Sequence, residues 1–328
     1  MKKRVLSGMR PSGKLHLGHL LGALSSWIKM QDEYDCFFMV ADWHALMSEY
    51  ENPKRLSEYT LDTVVDWLSC GIDPQKAVVF VQSHVKEHLE LNMILSCLTP
   101  LSWLERCPTY KEQLRELTGR ELTTYGFLGY PVLQAADILV YRANSVPVGA
   151  DQLHHLELAR EIARRFNSLY KKDALIEPQP MLSKVSKLPG LDGRKMSKSY
   201  DNFIALSDSA EVIHKKVSMM FTDPKRIKLS DTGHPAACNI YAYFKIFNPD
   251  FAPEVEDYCR NAKLGCTQCK KKLADVLCEY LKDIQAKRRH LLEDKEKLYS
   301  LIEHGAQKAS HVASETIRQI KDCVGLFK

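Results

Sequence analysis

Two short motifs, one near the start of the chain and one past its middle, carry side chains suited to binding phosphate. The first is His16-Leu17-Gly18-His19 and the second is Lys195-Met196-Ser197-Lys198-Ser199. Lysine ammonium groups and serine hydroxyls donate to phosphate oxygens, and the histidines lie where a helix is predicted to begin. Because a helix N-terminus presents unpaired N–H groups and partial positive charge, it attracts anions. The two motifs together predict a site for nucleotide phosphates.

The first motif is preceded by a strand and a turn. Val5-Leu6-Ser7 predicts the strand, and Arg10-Pro11-Ser12 belongs to a turn rich in Gly, Pro and Ser. Small residues such as Gly8, Gly13 and Gly18 would let a ligand lie against the backbone. We therefore expect strand, turn and helix to form one anion-binding segment.

Apolar strands alternate with helical stretches in the first half, which is typical of a parallel sheet with crossover helices. The later predicted strands are Cys36–Val40, Val78–Val81 and Ser145–Val148. A helix is predicted from Asn52-Pro53 to Gly71. The sequence predicts an α/β protein, with a Rossmann-like parallel sheet domain over residues 1–203 and an all-helical C-terminal domain over residues 204–328.

Helical periodicity continues through the whole C-terminal part. Asp208 followed by Glu211 resembles a capping box for a helix through Met220. Two longer helices are predicted over 270–292 and 295–320. The second phosphate motif therefore lies close to the predicted domain boundary.

An apolar predicted helix carries polar side chains on one face. Tyr130, Gln134 and Asp137 are spaced i, i+4 and i+7, so they point the same way. A carboxylate among apolar neighbours is costly unless a donor binds it. We expect Asp137 to recognise an N–H or O–H group of a ligand, and a ligand without that donor would lose about 1–3 kcal/mol.

Composition sets wider limits on the class of protein. The 328 residues suffice for two domains, and the net charge of +5 permits a nucleic-acid partner without proving one. The sequence contains no run of about 18 apolar residues, so no membrane span is predicted. The start Met-Lys-Lys-Arg is basic, but the apolar stretch of a signal peptide does not follow it. We therefore expect a cytoplasmic protein without membrane contact.

Four of the ten cysteines stand close together in the C-terminal half. They are Cys238, Cys259, Cys266 and Cys269. Closely spaced thiolates in a cytoplasmic chain favour a metal centre over disulfides. A four-thiolate site suits zinc or an iron-sulfur cluster, and the spacing does not choose between them.

The two phosphate motifs in this order resemble the signature pair of class I aminoacyl-tRNA synthetases. The segment Val146–Gln152 and the segment Gly190–Arg194 before the lysine motif look like those of bacterial tryptophanyl-tRNA synthetases. The resemblance extends across nearly the entire chain. It implies ATP-dependent formation of tryptophanyl-adenylate with release of pyrophosphate, followed by transfer to the terminal ribose of tRNA(Trp).

The resemblance also implies roles for individual residues. Lys195, Lys198, His16 and His19 would be catalytic, Asp137 would accept the indole N–H, and Tyr130 and Gln152 would help to hold the amine. From their positions, Gln134 and Leu6 are also expected to bind the amino acid. The residues implied to contact ATP are Arg10, Pro11, Ser12, Gly18, His19, Gly149, Ala150, Asp151, Lys195, Met196, Ser197, Lys198 and Ser199. It further implies Mg²⁺, a homodimer, anticodon binding by residues 204–328 and, in a subset of the family, a 4Fe-4S cluster on the four cysteines, with zinc as the alternative.

One departure from the family keeps tyrosine open as the amino acid. Gln134 stands where the tryptophan enzymes usually have Met, and tyrosyl-tRNA synthetases have Gln and Asp at this spacing. Those enzymes also place a Tyr two residues before the glycine that ends strand one, where this chain has Leu6. The apolar Leu6 favours indole over phenol. Two further classes of protein stay open, a small-molecule adenylyltransferase and a non-catalytic RNA-binding or iron-sulfur sensor protein.

Overall fold

The computed structural model describes residues 2–107, 123–149, 152–182 and 188–327, without the side chain of Ser199. Five parallel strands form one sheet: β1 (Arg4–Met9), β2 (Asp35–Val40), β3 (Ala77–Val81), β4 (Ser145–Val148) and β5 (Gln179–Leu182). Their order across the sheet is β3-β2-β1-β4-β5. The order reverses between β1 and β4, which opens a crevice at the carboxyl ends of these strands. The predicted α/β fold is confirmed.

The central strands are apolar because helices cover both faces of the sheet. Five of the six residues of β2 are buried, which explains its unbroken run Cys36–Val40. The edge strand β5 differs, because its four residues are exposed or half-buried and include Pro180. It therefore has no apolar run, and the sequence did not predict it.

The helices of the first half and of the crossovers are α1 (Leu17–His19), α2 (Ser25–Glu33), α3 (Asp42–Glu49), α4 (Leu56–Cys70), α5 (Glu87–Leu98), α6 (Leu101–Glu105), α7 (Tyr125–Val140) and α8 (Leu153–Tyr170). A π-helical turn, Leu20–Leu24, joins α1 to α2. Helix α4 ends as predicted at Gly71, whose φ of 115° lies in the left-handed region that glycine tolerates.

The helices of the C-terminal part are α9 (Ala210–Ser218), α10 (Asn239–Phe247), α11 (Ala252–Arg260), α12 (Cys266–Glu293) and α13 (Lys295–Val324). Short 3-10 turns occur at Pro53–Arg55, Gln82–His84, Lys198–Tyr200 and Pro235–Ala237. The predicted cap of α9 is wrong by one residue, because the hydroxyl of Ser209 accepts from the N–H of Val212. Asp208 instead accepts from the N–H of Ala205 and from Lys216.

The chain packs as two compact units that interleave along the sequence. The first contains residues 1–12, 26–184 and 294–328, and the second contains residues 13–25 and 185–293. These units are defined by packing, whereas the predicted division between residues 203 and 204 rests on the change from alternating strands and helices to helical periodicity. That division stays a prediction.

The first unit includes the sheet and the last helix, α13, which packs against the edge strand β3. Gly305 of α13 lies against β3, where a Cβ atom would come within 1.8 Å of the carbonyl oxygen of Val79. The carboxylate of Glu87 on α5 accepts from the hydroxyls of Ser310 and Ser314 on α13. Helix α13 is thus fixed to the sheet by close backbone approach and to α5 by partly buried hydrogen bonds.

The second unit contains both phosphate motifs and helices α9 to α12. Its core joins Ile213 and Val217 of α9, Tyr243 of α10, and Leu273 and Leu277 of α12, all of them buried. No helix in the described ranges combines the length and the apolar character that crossing a bilayer requires.

The close approach at Gly305 predicts a large effect from a small substitution. Gly305→Ala is expected to lower the midpoint of thermal unfolding, because α13 must move away from Val79 at a cost of about 1–3 kcal/mol or more. Gly129→Ala on α7 is the control, since nothing lies within 4 Å of a Cβ there, and helix propensity should raise stability. Equal midpoints for the two variants would contradict the packing described.

Candidate active site

A cavity of about 320 Å³ opens at the carboxyl ends of β1, β2 and β4, within the first unit. Its size lies in the range of small-molecule sites. Strand residues give it apolar walls, and α3, α7 and α8 add polar side chains. The predicted site residues that line it are Leu6, Arg10, Tyr130, Gln134, Asp137 and Gln152. The i, i+4, i+7 face of α7 therefore does point into one cavity.

Asp137 is the most deeply buried charged group of this cavity, at 2% exposure. Its Oδ1 lies 2.7 Å from Nδ1 of His88 and 2.8 Å from Nε2 of Gln82. Its Oδ2 lies 2.9 Å from Nε2 of His44. The sequence placed His44 after a strand end, in the predicted cleft, but did not predict that any of the three contacts Asp137, because they meet it only through tertiary packing.

These donors keep the Asp137 carboxyl ionised. Burial alone would raise its pKa, but His88 and His44 hold the pKa of Asp137 below its usual value. An ionised carboxylate only accepts hydrogen bonds, so both histidines donate to it. The network places a fixed negative charge at the wall of an apolar cavity.

Tyr130 and His155 form a second polar group in the cavity. The hydroxyl of Tyr130 lies 3.3 Å from Nε2 of His155, and Gln134 and Gln152 line the same space. These groups can orient an amine or carboxylate of a ligand. The cavity thus joins one charged acceptor, apolar walls and several neutral polar groups.

The two phosphate motifs meet within the second unit. The N–H of Leu17 donates to the carbonyl of Ile204 at 3.1 Å, and the N–H of Leu206 donates to that of Leu15 at 3.0 Å. His16 also faces the ring of Phe203 at 5.3 Å. Segments far apart in sequence are therefore joined by a short backbone pairing, just beyond the lysine motif.

His16 and His19 form a reciprocal cap at the start of α1. Nδ1 of His16 accepts from the N–H of Gly18 at 3.1 Å, and Nδ1 of His19 accepts from the N–H of His16 at 3.2 Å. Burial and the nearby Lys198 lower the pKa of His16 to about 4. Burial, His16 and Lys198 also lower the pKa of His19. At neutral pH both rings are uncharged and carry their proton on Nε2, which leaves that N–H as a donor.

The lysine motif is held by a buried asparagine. Asn202 accepts from the N–H of Ser197 at 2.8 Å and donates to the carbonyl of Lys195 at 3.1 Å. Nζ of Lys198 donates to the carbonyl of Gly13 at 2.8 Å, while the Lys195 side chain is exposed. Sequence analysis missed Asn202, since only its position after the motif could have suggested the contact.

Met196 of the same motif is buried and reaches the first motif. Its sulfur lies 3.4 Å from where a Cβ atom on Gly18 would stand. A larger residue at Gly18 would also press on the ring of His16. The contact explains why a small residue occupies this position.

The remaining residues predicted to contact the nucleotide differ in their exposure to solvent. Pro11 is buried, Ser12 is exposed and Gly149 is half-buried. Ala150 and Asp151 lie outside the described residues, as does the side chain of Ser199. For these residues, ATP contact stays a prediction.

The four clustered cysteines line one small cavity in the second unit. Cys238 precedes α10, Cys259 lies near the end of α11, and Cys266 and Cys269 form the first turn of α12. Burial and the charges of the other three thiolates raise the pKa of Cys269 to about 12. In the ranges that the structure covers, no three or more His, Cys, Asp or Glu side chains converge closely enough to hold one metal ion.

Known proteins match this chain over almost its whole length. The family model for class I tRNA synthetases (W and Y) matches residues 1–282. The tryptophan–tRNA ligase of Thermotoga maritima is 49% identical, covering 99% of each chain, and that of Aquifex aeolicus is 40% identical, covering 98% of this chain and 100% of that one. A tryptophanyl-tRNA synthetase structure from Campylobacter jejuni, complexed with ADP and tryptophane, has a TM-score of 0.92 at 35% identity, covering 98% of this chain and 100% of that one.

The chain belongs to the tryptophanyl-tRNA synthetases. Membership of this bacterial branch of class I confirms the predicted enzyme class, an aminoacyl-tRNA synthetase. It also decides between the two amino acids, because the relatives at 39–49% identity are tryptophan ligases. Gln134 is thus a departure within a tryptophan enzyme.

The low pKa of His16 predicts a specific pH dependence of stability. The unfolded chain binds a proton at His16 near pH 6.5, but the folded chain does so only near pH 4. The stability that His16 contributes is therefore complete above about pH 6.5 and is lost as the pH falls towards 4.

His16→Asn keeps an oxygen that can cap Gly18 but does not titrate. We expect its midpoint of thermal unfolding to fall less than that of the wild-type chain between about pH 7 and 4.5. Thermal scans across this range measure the difference. An identical fall in both proteins would show that His16 does not resist protonation in the folded state.

Proposed function

We propose that this chain activates L-tryptophan with ATP and passes the tryptophanyl group to the terminal ribose of tRNA(Trp). The observation that carries the proposal is the buried, ionised carboxylate of Asp137 at the wall of an apolar cavity. An indole ring fits apolar walls and offers one N–H donor. The tryptophan specificity of the curated relatives supports the same choice.

Activation is a transfer at the α-phosphorus of ATP. An oxygen of the tryptophan carboxylate bonds to that phosphorus, the bond to the bridging oxygen of the β-phosphate breaks, and pyrophosphate leaves with the electron pair. Because negative charge grows on the phosphates, cations and N–H donors lower the barrier. Magnesium enters as the counter-ion of the ATP phosphates, and no side chain is assigned to it.

The phosphate motifs supply the groups that this reaction needs. Lys195 and Lys198 would neutralise the leaving pyrophosphate, and Ser197 and Ser199 would donate to its oxygens. His16 and His19 act as neutral donors through Nε2, because their pKa values are lowered and their Nδ1 atoms already accept backbone N–H groups.

Substrate orientation follows from the groups around the tryptophan cavity. Tyr130, Gln134 and Gln152 would hold the α-amine, and Leu6 would pack on the indole. Arg10, Pro11, Ser12, Gly18 and residues 149–151 are proposed to contact the nucleotide, and Met196 to support Gly18. The helices of residues 204–328 are proposed to bind the anticodon, and the homodimer stays a prediction.

The activity is tested by tryptophan-dependent exchange of pyrophosphate into ATP. We expect exchange with tryptophan and none with tyrosine, because Leu6 offers no partner to a phenol. Asp137→Ala should raise the KM for tryptophan about 10- to 100-fold and leave the KM for ATP nearly unchanged. Exchange with tyrosine alone would refute the proposal, and an equal rise of both KM values would refute the role of Asp137.

We further propose that the four cysteines hold a 4Fe-4S cluster. Their side chains line one cavity, and the other three thiols act on Cys269 closely enough to raise its pKa. Four cysteine thiolates are a ligand set of the 4Fe-4S cluster, in which each thiolate binds a different iron. The cluster would tie three helices together as a structural centre.

The cluster is tested by iron and sulfide analysis of anaerobically purified protein, with its visible absorption. We expect about four irons and four sulfides per chain and a brown colour, which Cys269→Ser should remove. Cys278→Ser is the matched control, since Cys278 lies on the same helix but does not line the cavity. A colourless protein that holds zinc would refute the cluster.

A further inference from the structure

The hydrogen bonds of Asp137 leave its two oxygens unequally occupied. A carboxylate oxygen accepts about two hydrogen bonds. Among the residues that the structure describes, Oδ1 accepts from His88 and Gln82, whereas Oδ2 accepts from His44 alone. The open acceptor position is therefore on Oδ2.

The positions of the three donors agree with this count. His44 lines the cavity together with Asp137, whereas His88 and Gln82 do not line it. His88 and Gln82 are fully buried. Oδ1 is thus bound by buried core residues, and Oδ2 is the oxygen whose partner faces the ligand space.

A buried tyrosine lies behind His88. The hydroxyl of Tyr141 lies 2.8 Å from Nε2 of His88, and the Tyr141 side chain is fully buried between Phe37 and Phe80. Burial and the charge of Asp137 raise the pKa of Tyr141 well above its usual value, so the hydroxyl keeps its proton. It donates that proton to Nε2, which places the proton of His88 on Nδ1.

We propose that the Tyr141–His88 pair is a positioning device that holds Oδ1 of Asp137 and so leaves Oδ2 to accept the indole N–H of the proposed substrate. The proposal rests on the proposed tryptophan activity and adds which atoms select the substrate. Tyr141 and His88 touch no substrate, and they act through the carboxylate alone.

The tautomer of His88 explains why the tyrosine matters. Without the Tyr141 hydroxyl, His88 can place its proton on Nε2 and turn a lone pair towards Oδ1. Oδ1 then loses its 2.7 Å donor, and a lone pair facing an anion repels it. The carboxylate turns or takes up a proton, and in either case it accepts the indole N–H less well.

The test compares tryptophan with an analogue in which sulfur replaces the indole N–H, β-(benzothiophen-3-yl)alanine. Pyrophosphate exchange is measured with both amino acids for the wild-type chain and for Tyr141→Phe. We expect Tyr141→Phe to lower kcat/KM for tryptophan about 10-fold, mainly through KM, because one hydrogen bond of the network is lost. With the analogue, which has no N–H, its kcat/KM should stay unchanged.

Matched variants separate positioning from general destabilisation. Tyr170→Phe makes the same change on α8, where the ring packs against Phe166. It should leave kcat/KM unchanged for both tryptophan and the analogue. His88→Asn retains an N–H near the place of Nδ1 and should lose less tryptophan activity than His88→Leu.

The outcomes distinguish this inference from the activity on which it rests. An equal loss for tryptophan and analogue in Tyr141→Phe, or no loss for either, would overturn the positioning role while leaving the activity intact. Absence of tryptophan-dependent exchange in the wild-type chain would instead refute the proposed function.

Discussion

A buried negative charge sets the strictest requirement in this structure. An ionised carboxylate withdrawn from water costs several kcal/mol unless donors replace its hydration. Asp137 on α7 finds them on the segment after β2, on the segment after β3 and on α5. Two connections of the sheet must therefore fold correctly before the charge is stable. The one from β2 to β3 carries His44, and the one from β3 to β4 carries Gln82, His88 and Asp137 itself. The same donors keep one oxygen available for a ligand.

The strand order of the sheet creates the cavity at whose wall Asp137 lies. In a parallel sheet all carboxyl ends lie at one edge, and the reversal between β1 and β4 opens the crevice where the cavity forms. A second requirement acts in the other unit, where backbone pairing of residues 15–17 with 204–206 brings the two phosphate motifs together. Asn202 then fixes the lysine motif through two polar contacts, to Ser197 and Lys195, while its amide also donates to Asp192.

Much of this was predictable from sequence because the signals are local. The strands β1 to β4 are apolar runs, α4 ends at a glycine, and the face of α7 with Asp137 follows from helical spacing. The partners of Asp137 were not predictable, because Gln82 and His88 carry no periodic signal and meet it only through tertiary packing. Helix α13 is a similar case, since helical periodicity predicted the helix but not its contact with β3 at Gly305.

The central claim is that Oδ2 of Asp137 is the atom that recognises tryptophan. A crystal structure of the protein with bound tryptophan tests it most directly. We expect the indole nitrogen at about 2.9 Å from Oδ2, with His88 and Gln82 still bound to Oδ1. An indole nitrogen bound to a different group, or an Oδ1 that has released His88 to bind it, would contradict the account.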